Sequence, residues 1–84
     1  MVRQEQEIRN GLTHIFSTVL RIPEDEITDE LSPDTCENWD SLRQIQLCIA
    51  IDETFGLTLD ITKQIEILNF RIAVLTVIEE LDAR

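Results

Sequence analysis

The chain has few aromatic side chains: no tyrosine, one tryptophan and three phenylalanines in 84 residues. An aromatic-rich interior is therefore excluded. With 43% apolar residues, the core must rest mainly on Leu, Ile and Val, a composition that suits packed helices. Histidine occurs once and cysteine twice. Cys36 and Cys48 do not form a C-x-x-C pair, and no histidine or second cysteine pair stands near them to complete a zinc set, so both read as free thiols. Cys48, between Leu47 and Ile49, reads as a small buried hydrophobe rather than a reactive group. No metal site is expected, because the acidic stretch from Glu24 to Asp34 lacks the ordered oxygen ligands and central glycine of a calcium-binding loop.

Basic residues are also scarce, 7 against 17 acidic ones, which gives a net charge of −10. Binding a nucleic-acid backbone or an anionic membrane surface would work against that field, so the expected partners are proteins with basic patches. The sequence contains no apolar run of the roughly 20 residues that span a bilayer, and its beginning lacks the basic-then-apolar order of a signal peptide. A soluble, cytoplasmic, monomeric protein is expected. Its 84 residues suit one domain, residues 1–84, with one core and no disulfide staples.

From Glu5 to Leu20 the apolar positions Ile8, Leu12, Ile15, Phe16 and Val19 follow the three-or-four spacing of a helix face, despite Gly11, which costs about 1 kcal/mol relative to Ala. Residues Ile22 to Asp40 hold both prolines and no sustained period, which predicts a long loop anchored by Ile27 and Leu31, with Trp39 packing its end onto the bundle. A second helix begins with Asp40 or Ser41 as N-cap and runs to Phe55, before Gly56. Projected at about 100° per residue, it has two apolar sides: Leu47, Cys48, Ile51 and Phe55 on one, Leu42, Ile45 and Ile49 on the other. Leu57 and Leu59 alternate with polar residues in a short link, and Ile61 to Ile67 is long enough for one or two helical turns. A closing helix follows Asn69, with Phe70, Ala73, Val74, Val77, Ile78 and Leu81 on one stripe to the end of the chain. Ile72 and Leu75 fall off that stripe and leave self-association open. The expected fold is all-α: three main helices and a short one, with a long loop between the first two. Phe16, Leu47, Ile51, Phe55, Val74 and Val77 are expected between the helices.

The segment Asn38-Trp39-Asp40-Ser41-Leu42, followed by Ile45, Leu47, Ala50, Ile51, Asp52, Glu53, Phe55 and Gly56, resembles the attachment segment of acyl carrier proteins. In that family Asp-Ser-Leu opens a helix that ends in an acidic pair and Phe-Gly. The order of elements is also similar, so the resemblance covers nearly the whole chain. It implies that Ser41 receives 4'-phosphopantetheine from coenzyme A through a separate phosphopantetheinyl transferase, and that acyl groups ride on the terminal thiol as thioesters. It also implies that Asp40 assists modification, for instance by helping the transferase hold its metal ion. Leu42, Ile45 and Ile49, with Asp52 and Glu53, would then meet acyl-loading and acyl-accepting enzymes with basic surfaces. The chain departs from many fatty acid carriers in having Arg43 and Gln46 where they carry acid, and from many modular peptide-synthesis carriers in lacking a glycine-rich lead-in. With its initiating Met, it is therefore expected to be a discrete carrier of a specialised bacterial pathway, such as fatty acid, polyketide or small-acyl transfer, and not itself an enzyme.

Two other readings use the same residues. Ser41 read simply as the helix cap gives an unmodified interaction module of the same fold. Ser41 read as a nucleophile gives a hydrolase, for which the single histidine, His14, lies in the middle of the first helix and no Gly-x-Ser-x-Gly elbow is present.

Overall fold

The structure is a computed structural model and describes residues 2–83. Met1 and Arg84, the ends of the expected domain and closing helix, lie outside the described residues. Four helices follow one another: α1 (Val2–Leu20), α2 (Ser41–Phe55), α3 (Ile61–Glu66) and α4 (Phe70–Asp82), with a 3-10 turn at Glu24–Glu26 in the long connection. The fold is all-α, as the periodicity predicts, and no strand occurs among the described residues.

The predicted stripes meet in one core. Ile8, Leu12, Ile15 and Phe16 of α1 face Leu47, Cys48 and Ile51 of α2 and Phe70, Ala73, Val74 and Val77 of α4, all buried. Phe16 lies at the centre: its ring meets Trp39 edge-on at 5.3 Å and Phe70 edge-on at 5.1 Å. Scarce as they are, the aromatics are concentrated here, where edge-to-face pairs contribute about 0.5–1.5 kcal/mol each beyond the area they bury.

Phe55 departs from its expected place. It is half-buried and packs against the edge of the core, because it ends α2 and lies over α1 at Gly11. A Cβ on Gly11 would stand 3.1 Å from Phe55 Cζ, so the glycine that weakens α1 locally is what lets the ring approach.

The ends of the helices explain their lengths. Gly56 adopts the left-handed conformation just past α2, with φ 68°, and the Leu57 N–H donates to Asp52 O at 3.0 Å. Arg21 takes the same conformation after α1, with φ 60°, and Ile22 N–H closes back on Ser17 O at 3.2 Å. A non-glycine residue costs about 1–2 kcal/mol in that region. The loop contributes to holding it there: Asn38 Nδ2 donates to Leu20 O at 2.7 Å, and Ser17 Oγ donates to Ile22 O at 2.6 Å.

The long connection is anchored, as predicted, and by more than its two apolar residues. Leu31, Cys36 and Trp39 are buried in the core, with Ile27 packed against it. The loop backbone also caps α4, since the Phe70 N–H donates to Leu31 O at 3.0 Å and the Arg71 N–H to Asp29 O at 3.3 Å. Arg9 of α1 grips the Asp29 carboxylate at 3.0 and 3.5 Å.

Truncating Phe16 to Ala is expected to cost about 3–5 kcal/mol, against about 1–2 kcal/mol for Phe55→Ala, whose ring is only partly removed from water. Urea denaturation of the two variants side by side checks the order, and equal losses would place Phe55 in the core after all.

Candidate functional site

The site is the turn into α2. Trp39 is buried, at 3% exposure, and fixes the chain two residues before Ser41. Asp40 is extended, with φ −104° and ψ −173°, and its Oδ1 accepts the Arg43 backbone N–H at 2.9 Å. Asp40 is therefore the N-cap, which resolves the choice between it and Ser41. Its other carboxylate oxygen lies 3.5 Å from Arg43 Nη1.

Ser41 is the first residue of the helix and is exposed. Its hydroxyl is released from capping because Asp40 does that work, and no hydrogen bond to it is found among the described residues. The N–H groups of Ser41 and Leu42 stand at the positive end of α2, where a phosphodiester is favoured electrostatically. Beside Ser41 opens a groove of about 500 Å³, walled by Pro33, Trp39, Gln44, Ile45, Ile65 and Leu68. The residues at hand thus fit a phosphate-linked arm: an accessible hydroxyl, helix N–H groups and an adjoining apolar surface.

The second apolar side of α2 faces outward. Leu42, Ile45 and Ile49 are 60, 55 and 53% exposed, and Glu53 is exposed one turn beyond them. Asp52 belongs partly to the scaffold: its Oδ1 accepts the Leu59 N–H at 3.1 Å, tying the link after α2 to the helix.

Gln44 carries no motif of its own in the sequence, yet it joins two parts of the site. Its Oε1 accepts the Trp39 indole N–H, while its Nε2 donates to Gln64 O at 2.8 Å and Ile67 O at 3.3 Å. The signal was present, since a tryptophan expected to be buried needs an acceptor for its N–H, and Gln44 is a polar residue of the next helical turn.

His14, the base a hydrolase would require, is exposed on α1 with Nδ1 3.5 Å from Glu24, and no hydrogen bond joins it to Ser41 among the described residues. Among the described residues no three His, Cys, Asp or Glu side chains gather into a group able to hold a metal ion, and no helix is long and apolar enough to cross a membrane. No protein-family model and no curated protein matches the chain.

Both cysteines are free and buried. Burial, and secondarily the Asp52 charge one turn on, push the Cys48 thiol up to about 11 from 9.0. Because its pKa is raised on folding, the neutral thiol favours the folded state below about pH 9, and that contribution fades as pH rises towards 11. At pH 8 an aromatic disulfide reagent should therefore find neither cysteine in the folded protein and both in urea. Prompt labelling of Cys48 without denaturant would contradict its burial.

Proposed function

We propose that the chain is an acyl carrier protein, without catalytic activity of its own, that bears 4'-phosphopantetheine on Ser41. The observation that carries this reading is the division of labour at the start of α2, with Asp40 capping the helix and the Ser41 hydroxyl left exposed within Asp-Ser-Leu. The Ser41 Oγ attacks the pyrophosphate of coenzyme A on a phosphopantetheinyl transferase. A Ser41 Oγ–P bond forms, the P–O bond to the adenosine bisphosphate breaks, and the hydroxyl proton passes to a base of that enzyme. The attached arm supplies a thiol that holds acyl groups as thioesters. Asp40, already paired with Arg43, brings less bare negative charge to the phosphodiester than an isolated aspartate would.

Intact mass decides the reading. With a transferase, coenzyme A and magnesium, the wild type should gain one pantetheinyl phosphate and Ser41→Ala none, while circular dichroism stays unchanged. A wild-type mass unchanged with several active transferases overturns the assignment, as does a modified Ala variant. The buried cysteines add a second readout, since the modified protein should show one fast thiol where the unmodified protein shows none.

The outward side of α2, with Leu42, Ile45, Ile49 and Glu53, is the proposed docking face for enzymes with basic surfaces. Its apolar residues supply contact and its acids steer association. Arg43 and Gln46 fit dedicated partners better than general fatty acid enzymes. Ile49→Ala and Glu53→Lys should each slow acyl transfer to the cognate enzyme several-fold at low salt, with the Glu53 effect shrinking as salt rises. Asp52→Lys is a poorer probe because Asp52 also binds the Leu59 N–H. Rates equal to wild type in both variants would move the docking face elsewhere.

A further inference from the structure

Helix α3 is the least supported element of the fold. None of its six residues is buried, whereas its flanks Leu59 and Ile67 are 3 and 1% exposed. A helix this short does not hold itself in water. Its apolar residues Ile61 and Ile65 are 68 and 64% exposed, so little hydrophobic burial presses it onto the bundle. Lys63 reaches Glu79 and Glu80 of α4 at 3.9 and 3.8 Å, solvated contacts of small worth.

A tie from α2 to the end of α3 is made by one side-chain amide. Gln44 Nε2 donates to the carbonyls of Gln64 and Ile67 at the end of α3, where Gln64 O also accepts a long 3.4 Å bond from the Ile67 N–H. Gln44 Oε1 accepts from Trp39. The orientation of the amide is fixed by chemistry, because an indole N–H can only donate and backbone carbonyls can only accept. Gln64 Nε2 in turn donates to Leu59 O at 3.0 Å, bracing the start of the helix. One side chain therefore joins the turn that carries Ser41 to the helix that forms the far wall of the groove beside it.

We propose that Gln44 is a positioning residue, a latch that holds α3 as the outer wall of the groove next to Ser41, and that its release lets α3 open as a unit between Leu59 and Ile67. A latch made of neutral hydrogen bonds sits close to balance, since each contributes only modestly to the folded state. With the latch closed, Ile65 stands over the groove beside Leu68; with it open, Ile65 leaves and the groove widens. The consequence for a carried group rests on the attachment at Ser41 proposed above, but the latch itself does not.

Two variants separate the halves of the amide in the unmodified protein, followed by NMR hydrogen exchange. Gln44→Glu keeps an acceptor for Trp39 but loses the donor to α3; Gln44→Leu loses both. In each, the amides from Gln64 to Ile67 should exchange about tenfold faster; in Gln44→Glu those of α1 and α4 and the urea midpoint stay near wild type, whereas Gln44→Leu, which leaves the buried Trp39 N–H unpaired, also lowers the urea midpoint. The Trp39 indole N–H should remain protected in Gln44→Glu and exchange freely in Gln44→Leu. Unchanged exchange in α3 of Gln44→Glu overturns the proposal, and so does an acceleration shared equally by α1 and α4 in that variant. The mass test of Ser41 is independent, so a failed latch leaves the attachment standing and a failed attachment leaves the latch standing.

Discussion

The edge of Trp39 against Phe16 ties the exposed start of α2 to the centre of the core. Phe16 touches Trp39 on one side and Phe70 on the other, so three rings join α1, the long loop and α4. Ser41 stands two residues beyond Trp39, outside the core yet placed by it. The cap made by Asp40 and the amide of Gln44 act on a chain whose position that contact has already set. An exposed hydroxyl is thus held in a defined place without being buried, which a loop free of the core would not achieve.

Charge is distributed to the same end. Arg9 is spent on Glu5 and Asp29, Arg43 on Asp40, and Lys63 on Glu79 and Glu80. The Arg9 hydrogen bond holds the Asp29 carboxyl below the usual range, with the charges of Arg9 and Arg71 helping against the cost of burial. With Arg9, Arg43 and Lys63 paired within the molecule, the net charge of −10 is expressed as an acidic surplus.

Much of this was legible in the sequence because it is periodic or local. The stripes of α1 and α4, the two-sided pattern of α2 and the stop at Gly56 follow from spacing and cap chemistry, whereas that pattern alone allowed Leu42, Ile45 and Ile49 to be either buried in a second layer or exposed, and they are exposed. What stayed hidden depends on long-range hydrogen bonds from irregular backbone. The loop carbonyls of Asp29 and Leu31 cap α4, Asp52 binds Leu59, and Gln44 reaches α3, none with a repeat to betray it. Phe55 was misplaced for a related reason: projection gives the side of a helix that a residue occupies, not its depth at the end of an interface. Gly11 read as a penalty because its benefit, room for that ring, belongs to another helix.

The bond from Asn38 to the last carbonyl of α1 brings the two ends of the long loop together at a single point. Between them, the exposed Glu24–Glu26 turn is a detour whose length does not set the position of Ser41. Closure entropy grows only with the logarithm of loop length, so extra residues in the exposed Glu24–Glu26 turn would burden the fold little. That turn is therefore where the chain can change size and surface while the hydroxyl at the head of α2 stays where it is.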